Sequence, residues 1–72
     1  MKPENTGLSA SQLSHLIDEW IIGNNAERDR EILKEKLING KSLYQLSDMF
    51  NLSLTQIKNI LRKRQNELFK HL

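Results

Sequence analysis

Residues 46–57 read Leu46-Ser47-Asp48-Met49-Phe50-Asn51-Leu52-Ser53-Leu54-Thr55-Gln56-Ile57. Apolar residues at helical spacing run up to Phe50, and Asn51 stands where the chain must turn. Ser53, with Gln56 three residues on, is the signature of a new helix start, in which serine and glutamine side chains cap orphan backbone N–H groups. Asparagine tolerates the positive φ that a tight corner requires. Ser47 is small enough to let a second helix cross close by. Leu46, Leu52, Ile57 and Ile60 or Leu61 can pin the corner by apolar contact. The spacing is that of a helix-turn-helix, in which two helices pack near a right angle.

Working outward, the rest of the chain also reads as helix. Ser42 is the N-cap of the helix ending at Phe50, with Leu43, Leu46, Ser47 and Phe50 as its buried stripe. Beyond Ser53, residues Ile57, Ile60, Leu61, Leu68 and Leu72 form one apolar face. Upstream, Asn39-Gly40 has helical rather than alternating flanks, so it predicts a helix C-cap instead of a hairpin. Asn25 is a candidate N-cap for a helix carrying Ala26, Ile32, Leu33 and Leu37. Glu27 and Asp29 fall in its first turn, where the dipole favours anions. Glu27, Glu31 and Glu35 alternate with Arg30 and Lys34 on its outer side and predict mixed i,i+4 pairs. Ser9 with Gln12 opens a first helix whose stripe is Leu13, Leu16, Ile17, Trp20 and Ile21, and Gly23 is placed to close it in a left-handed cap. Trp20 is expected to be mainly core, with Ile22 on the flank.

The fold expected is therefore an all-α, four-helix domain with a C-terminal helix-turn-helix. Helices are predicted near 9–22, 25–38, 42–50 and 53–70. Residues 1–8, with Pro3 and Gly7 and no apolar period, read as a flexible arm. The domain spans 9–72, with the helix-turn-helix unit at about 42–64. Seventy-two residues hold a single small core. The absence of cysteine excludes disulfides and thiolate metal sites. No apolar run is long enough to span a membrane. The N-terminus lacks the basic-then-apolar pattern of a secretion signal, so a cytoplasmic protein is expected.

Charge is unevenly spread. Residues 1–52 carry six Lys/Arg against eight Asp/Glu, and residues 53–72 carry five against one. Positive charge gathered on one terminal helix is what a nucleic-acid reader presents. The outer face of that helix holds Thr55, Gln56, Lys58, Asn59, Arg62, Lys63 and Asn66. Glutamine and asparagine can take adenine N6 and N7 bidentately, and cations hold phosphates. Thr55, Gln56 and Asn59 are thus the candidate base-contacting residues. Lys58, Arg62 and Lys63 are the candidate phosphate contacts, joined by Lys41, Ser42 and Tyr44 at the start of the preceding helix.

Catalytic chemistry finds no pattern. His15 and His71 lie on different helices without carboxylates at ligand spacing, and Asp18 and Glu19 are adjacent on a helix, so their side chains diverge. There is no glycine-rich phosphate loop and no nucleophile elbow. No enzyme activity, metal, cofactor or small-molecule substrate is expected. Arg62-Lys63-Arg64 also fits a nuclear-targeting run, but its place beside groove-facing amides favours phosphate contact.

Residues 28–72 resemble the region 4 domain of bacterial sigma-70-type factors and the related LuxR-type domains. The likeness runs from Arg28-Asp29-Arg30-Glu31-Ile32-Leu33 through Asn39-Gly40-Lys41-Ser42-Leu43-Tyr44-Gln45-Leu46-Ser47 to Ile57-Lys58-Asn59-Ile60-Leu61-Arg62-Lys63-Arg64. The segment Leu16-Ile17-Asp18-Glu19-Trp20-Ile21-Ile22 resembles the leading helix of small phage-related regulators of Gram-positive bacteria. The family often has alanine and glycine where this chain has Ser47 and Asn51. The resemblance implies a winged-helix-like, stand-alone transcription regulator, because 72 residues do not hold the promoter-element and polymerase-core segments of a complete sigma factor. Double-stranded DNA is the expected partner, and RNA polymerase or a second copy of the chain are the protein partners the reading allows. The alternative is a protein-interaction module that grips RNA polymerase or another transcription protein through its N-terminal helices.

Overall fold

The computed structural model describes residues 9–70. The arm at 1–8, His71 and Leu72 lie outside them. Four helices follow in order: α1 Ala10–Trp20, α2 Ala26–Leu37, α3 Leu43–Phe50 and α4 Leu54–Phe69. The domain is all-α. The Cα trace measures 30 × 28 × 16 Å. Its thin dimension is what two helices packed about 10 Å apart occupy, so the core is a single layer of side chains.

Three helices begin with the same device. Ser9, Ser42 and Ser53 each accept a bond from the backbone N–H three residues on, and each gives its own N–H to the glutamine there, Gln12, Gln45 and Gln56. These boxes satisfy two orphan donors apiece. They explain why each helix starts where it does.

The core joins all four elements. Ile17, Ile21, Ile32, Leu33, Leu46, Ile57 and Leu68 are fully buried, with Leu13 and Leu61 nearly so. Leu16, Leu37, Ile38, Leu43, Phe50, Leu52 and Ile60 pack around them. Helices α2 and α4 each touch the other three, so what holds those two together holds the domain.

The corner residue between α3 and α4 takes the positive φ expected of it. Asn51 is left-handed, with φ 56 and ψ 44. The Ser47 carbonyl accepts from the N–H groups of both Asn51 and Leu52, which combines the 5→1 bond of a left-handed cap with the 6→1 bond of a Schellman turn. Ser47 does more than stay small. Its hydroxyl donates to the Leu52 carbonyl, so one residue binds both sides of the corner.

Several expectations are corrected. Helix α1 stops at Trp20, because Ile21 turns extended (φ −91, ψ 101) and sends its side chain into the core. Its carbonyl then accepts from Arg30 Nε at 2.8 Å. Gly23 has φ +97, but it lies in the loop beyond the helix end and is not its cap. Asn25 holds the N-cap position of α2 but in a left-handed conformation, and its side chain makes no capping bond. The cations on the outer side of α2 reach across rather than along it: Lys34 pairs with Asp18 at 2.7 Å, and Arg30 with the Ile21 carbonyl. Gly40, at φ +72, does turn the chain out of α2, helped by Lys41 N–H donating to the Glu35 carbonyl.

Trp20 is not mainly core. It is 38% exposed at the end of α1, and Ile22 beyond it is 63% exposed. The early end of α1 accounts for this. The extended turn at Ile21 puts that isoleucine into the core position and leaves the indole at the margin. Truncating a fully buried isoleucine costs about 2–5 kcal/mol, and a buried tryptophan about 3–5. Ile17→Ala is therefore expected to destabilise more than Trp20→Ala, with the latter below about 3 kcal/mol. Urea denaturation of the two variants checks this, and the reverse order would restore tryptophan to the core. At the corner, Asn51→Ala should cost about 1 kcal/mol, because alanine lacks the short polar side chain that lets asparagine tolerate the left-handed region. Asn51→Gly should stay near the parent in the same melt.

Candidate nucleic-acid interface

The residues that decide how α4 is turned lie on its inner side. Arg64 is 5% exposed and Asp29 of α2 is 4% exposed. Arg64 Nε donates to Asp29 Oδ2 at 2.7 Å. Nη1 donates to Glu67 Oε1 at 2.8 Å and to the Ile22 carbonyl at 3.1 Å, and Nη2 to the Asn24 carbonyl at 2.9 Å. Four of the guanidinium's five N–H donors are thus used. The second Asp29 oxygen accepts from Arg28 Nε at 3.1 Å. Burial works against the Arg64 charge, but hydrogen bonds and charge from Asp29 and Glu67 outweigh it and hold the pKa above the ordinary guanidinium value. The guanidinium therefore stays charged.

In the sequence Arg64 belongs to the basic run 62–64, and Asp29 falls in the first turn of α2, where the dipole favours anions. Both are buried. The signal was present in the spacing. Arg64 stands seven residues after Ile57, three after Leu61 and four before Leu68, inside the apolar stripe. Asp29 stands likewise between Ala26 and Ile32-Leu33. Two opposite charges, each on an apolar stripe, are candidates for a buried pair.

With Arg64 turned inward, the opposite side of α4 faces solvent. Thr55, Gln56, Lys58, Asn59, Arg62 and Lys63 are all exposed. By helical spacing Asn59 lies mid-face, with Lys58 and Arg62 on one side and Lys63 on the other. Among the described residues no salt bridge involves Lys58, Arg62 or Lys63. The one carboxylate of α4, Glu67, is drawn toward Arg64. Basic charge on the surface of this helix is one cation smaller than the sequence count, but nothing acidic on α4 offsets it.

Two of the expected base-contacting side chains are already engaged. Gln56 Oε1 accepts from the Ser53 N–H at 2.9 Å, and Asn59 Oδ1 accepts from Arg62 Nη2 at 3.1 Å. Thr55 is exposed at the start of the helix. At the start of α3, Tyr44 is 75% exposed, Lys41 is half-buried and Ser42 is exposed. Ser42 uses its N–H and its hydroxyl oxygen in the capping box, bonded to Gln45 at 2.8 and 3.1 Å. Among the described residues the side chains of Tyr44, Lys58 and Lys63 have no such commitments, whereas Arg62 is bonded to Asn59.

Elsewhere the chemistry is sparse. A shallow hollow on α1 is lined by Ser11, Gln12, His15 and Leu16. Among the described residues no cluster of three or more His, Asp or Glu could hold a metal ion, and no helix is long and apolar enough to cross a membrane. No family model, no curated protein and no solved structure matches the chain.

Arg64 and its neighbour Arg62 provide a direct contrast. Removing Arg64 leaves one buried Asp29 oxygen and the Ile22 and Asn24 carbonyls without their donor, which should cost about 3–5 kcal/mol, so Arg64→Ala is expected to lose most of the stability of so small a domain. Arg62→Ala, on the open face, should change stability by no more than about 0.5 kcal/mol. Equal midpoints for the two variants in thermal and urea melts would contradict the buried pair.

Proposed function

We propose that this chain binds double-stranded DNA as a transcription regulator, with α3 and α4 acting as a helix-turn-helix of the sigma region 4 type. The observation that carries the reading is the outer face of α4. Two amides, a hydroxyl and three cations stand on one exposed side from Thr55 to Lys63, and the helix's carboxylate is turned away from them. A helix with its side chains is about 10–12 Å across, which the roughly 12 Å width of the B-DNA major groove admits. In this reading Thr55, Gln56 and Asn59 meet base edges. Lys58, Arg62 and Lys63 hold phosphates to either side, and Lys41, Ser42 and Tyr44 touch the backbone from the start of α3.

A second reading has one observation in its favour. Trp20 and Ile22 leave apolar surface exposed at the end of α1 and just beyond it, as a surface for RNA polymerase, another transcription protein or a second copy of the chain would. The two readings differ in salt dependence. Phosphate contacts release counterions, so DNA affinity falls steeply with salt.

Lys58→Ala should weaken binding to all duplexes alike and reduce the slope of log affinity against log salt by about one. Fluorescence anisotropy with a labelled random duplex, from low to moderate salt, measures both. An unchanged slope and affinity would remove Lys58 from the interface. A parent protein with no salt-dependent binding would favour the protein-interaction reading.

A further inference from the structure

Gln56 and Asn59, the two amides in the first half of the outer face of α4, are not free to choose which atom they present. Gln56 reaches back to the helix start, where the Ser53 N–H can only donate, so the glutamine carbonyl oxygen faces inward at 2.9 Å. The Arg62 guanidinium likewise can only donate, so it holds the Asn59 carbonyl oxygen at 3.1 Å. In both side chains the group left without a bond is the NH2, which can only donate. The surrounding residues add donors of the same kind: Lys58, Arg62 and Lys63 have no acceptor at all. The one carboxylate of α4, Glu67, is bonded to Arg64 Nη1 at 2.8 Å, which leaves the Thr55 hydroxyl and the Asn66 amide oxygen as the acceptors on the exposed side.

A bidentate contact to adenine needs one donor and one acceptor, for N7 and the N6 amino group respectively. An amide whose oxygen is tied back lacks the acceptor and would set its NH2 against the adenine NH2. Guanine presents two acceptors side by side, N7 and O6, and no major-groove donor. Cytosine presents a donor, N4. From this asymmetry we propose that α4 reads guanines in the major groove, with Gln56 Nε2 and Asn59 Nδ2 as the donors. Ser53 and Arg62 act as positioning residues that set the amide orientation. The inference rests on the DNA-binding reading above and extends it from duplex DNA in general to G·C-bearing sites.

Gln56→Glu gives a discriminating variant. Glutamate keeps the box, because one carboxylate oxygen still accepts from the Ser53 N–H. The other oxygen then presents an acceptor where the parent presents a donor. Sites are first selected from a random duplex pool with the parent protein and with this variant, both verified folded by thermal melting. The parent should select guanine at two or more positions. Replacing those guanines with 7-deazaguanine, which keeps the base pair but lacks the N7 acceptor, should weaken binding about tenfold. The variant should exchange guanine for cytosine at one of the positions. Adenine at the contacted positions, indifference to 7-deazaguanine, or an unchanged preference in the variant would each overturn the guanine inference while leaving DNA binding intact. Failure of the parent to retain any duplex at low salt would overturn both.

Discussion

A buried ion pair between the second and fourth helices sets the geometry of this small domain. Arg64 and Asp29 are removed from water together, and the desolvation that this costs is large unless every polar atom finds a partner. Here each does, and no buried side-chain nitrogen or oxygen among the described residues lacks a hydrogen bond. The guanidinium spreads its donors over Asp29, Glu67 and two carbonyls of the loop between α1 and α2. A lysine, with a compact ammonium and three donors, could not span those points in one plane. The left-handed turn at Asn25 and the extended turn at Ile21 belong to the same arrangement, because they shape the loop whose Ile22 and Asn24 carbonyls Arg64 meets.

The pair also fixes which way α4 faces. Apolar packing alone is tolerant of small rotations of a helix about its own axis. A planar, multiply bonded guanidinium is not. With Arg64 and Glu67 committed inward, Arg62 and Lys63 are carried outward, and the exposed side is left with amides, a hydroxyl and cations. The corner at Ser47 and Asn51 constrains the other end of the helix through backbone and hydroxyl bonds. The helix proposed to meet DNA is thereby held at its start by the corner and near its end by the ion pair. Rigid placement of this kind is what readout of base edges requires.

Most of the fold could be read from the sequence because it rests on local rules. Ser-x-x-Gln marks a helix start wherever it occurs, and the apolar residues recur at helical spacing. The residue at the corner had to accept positive φ, and Asn51 does. The helical stripe runs on to about residue 22 while α1 ends at Trp20, because Ile21 fits the stripe as well as it fits an extended turn. Spacing cannot tell these apart, and a loop carbonyl bonded to Arg30 decides between them. Arg64 was misread for a related reason. A basic residue in a basic run looks solvated until a partner 35 positions away is known. On the candidate interface, the sequence indicates which residues face outward but not which atom of each amide does. That depends on the Ser53 N–H and on Arg62, which are contacts of the folded helix.

The central claim is that the outer face of α4, oriented by Arg64, is the surface that meets DNA. Backbone amide chemical shifts of the 15N-labelled protein, titrated with a short duplex at low salt, test it most directly. Shifts clustered at residues 41–44 and 55–63, with α1 unmoved, are the expected result. Shifts centred on Trp20 and α1, or no shifts at saturating duplex, would contradict it.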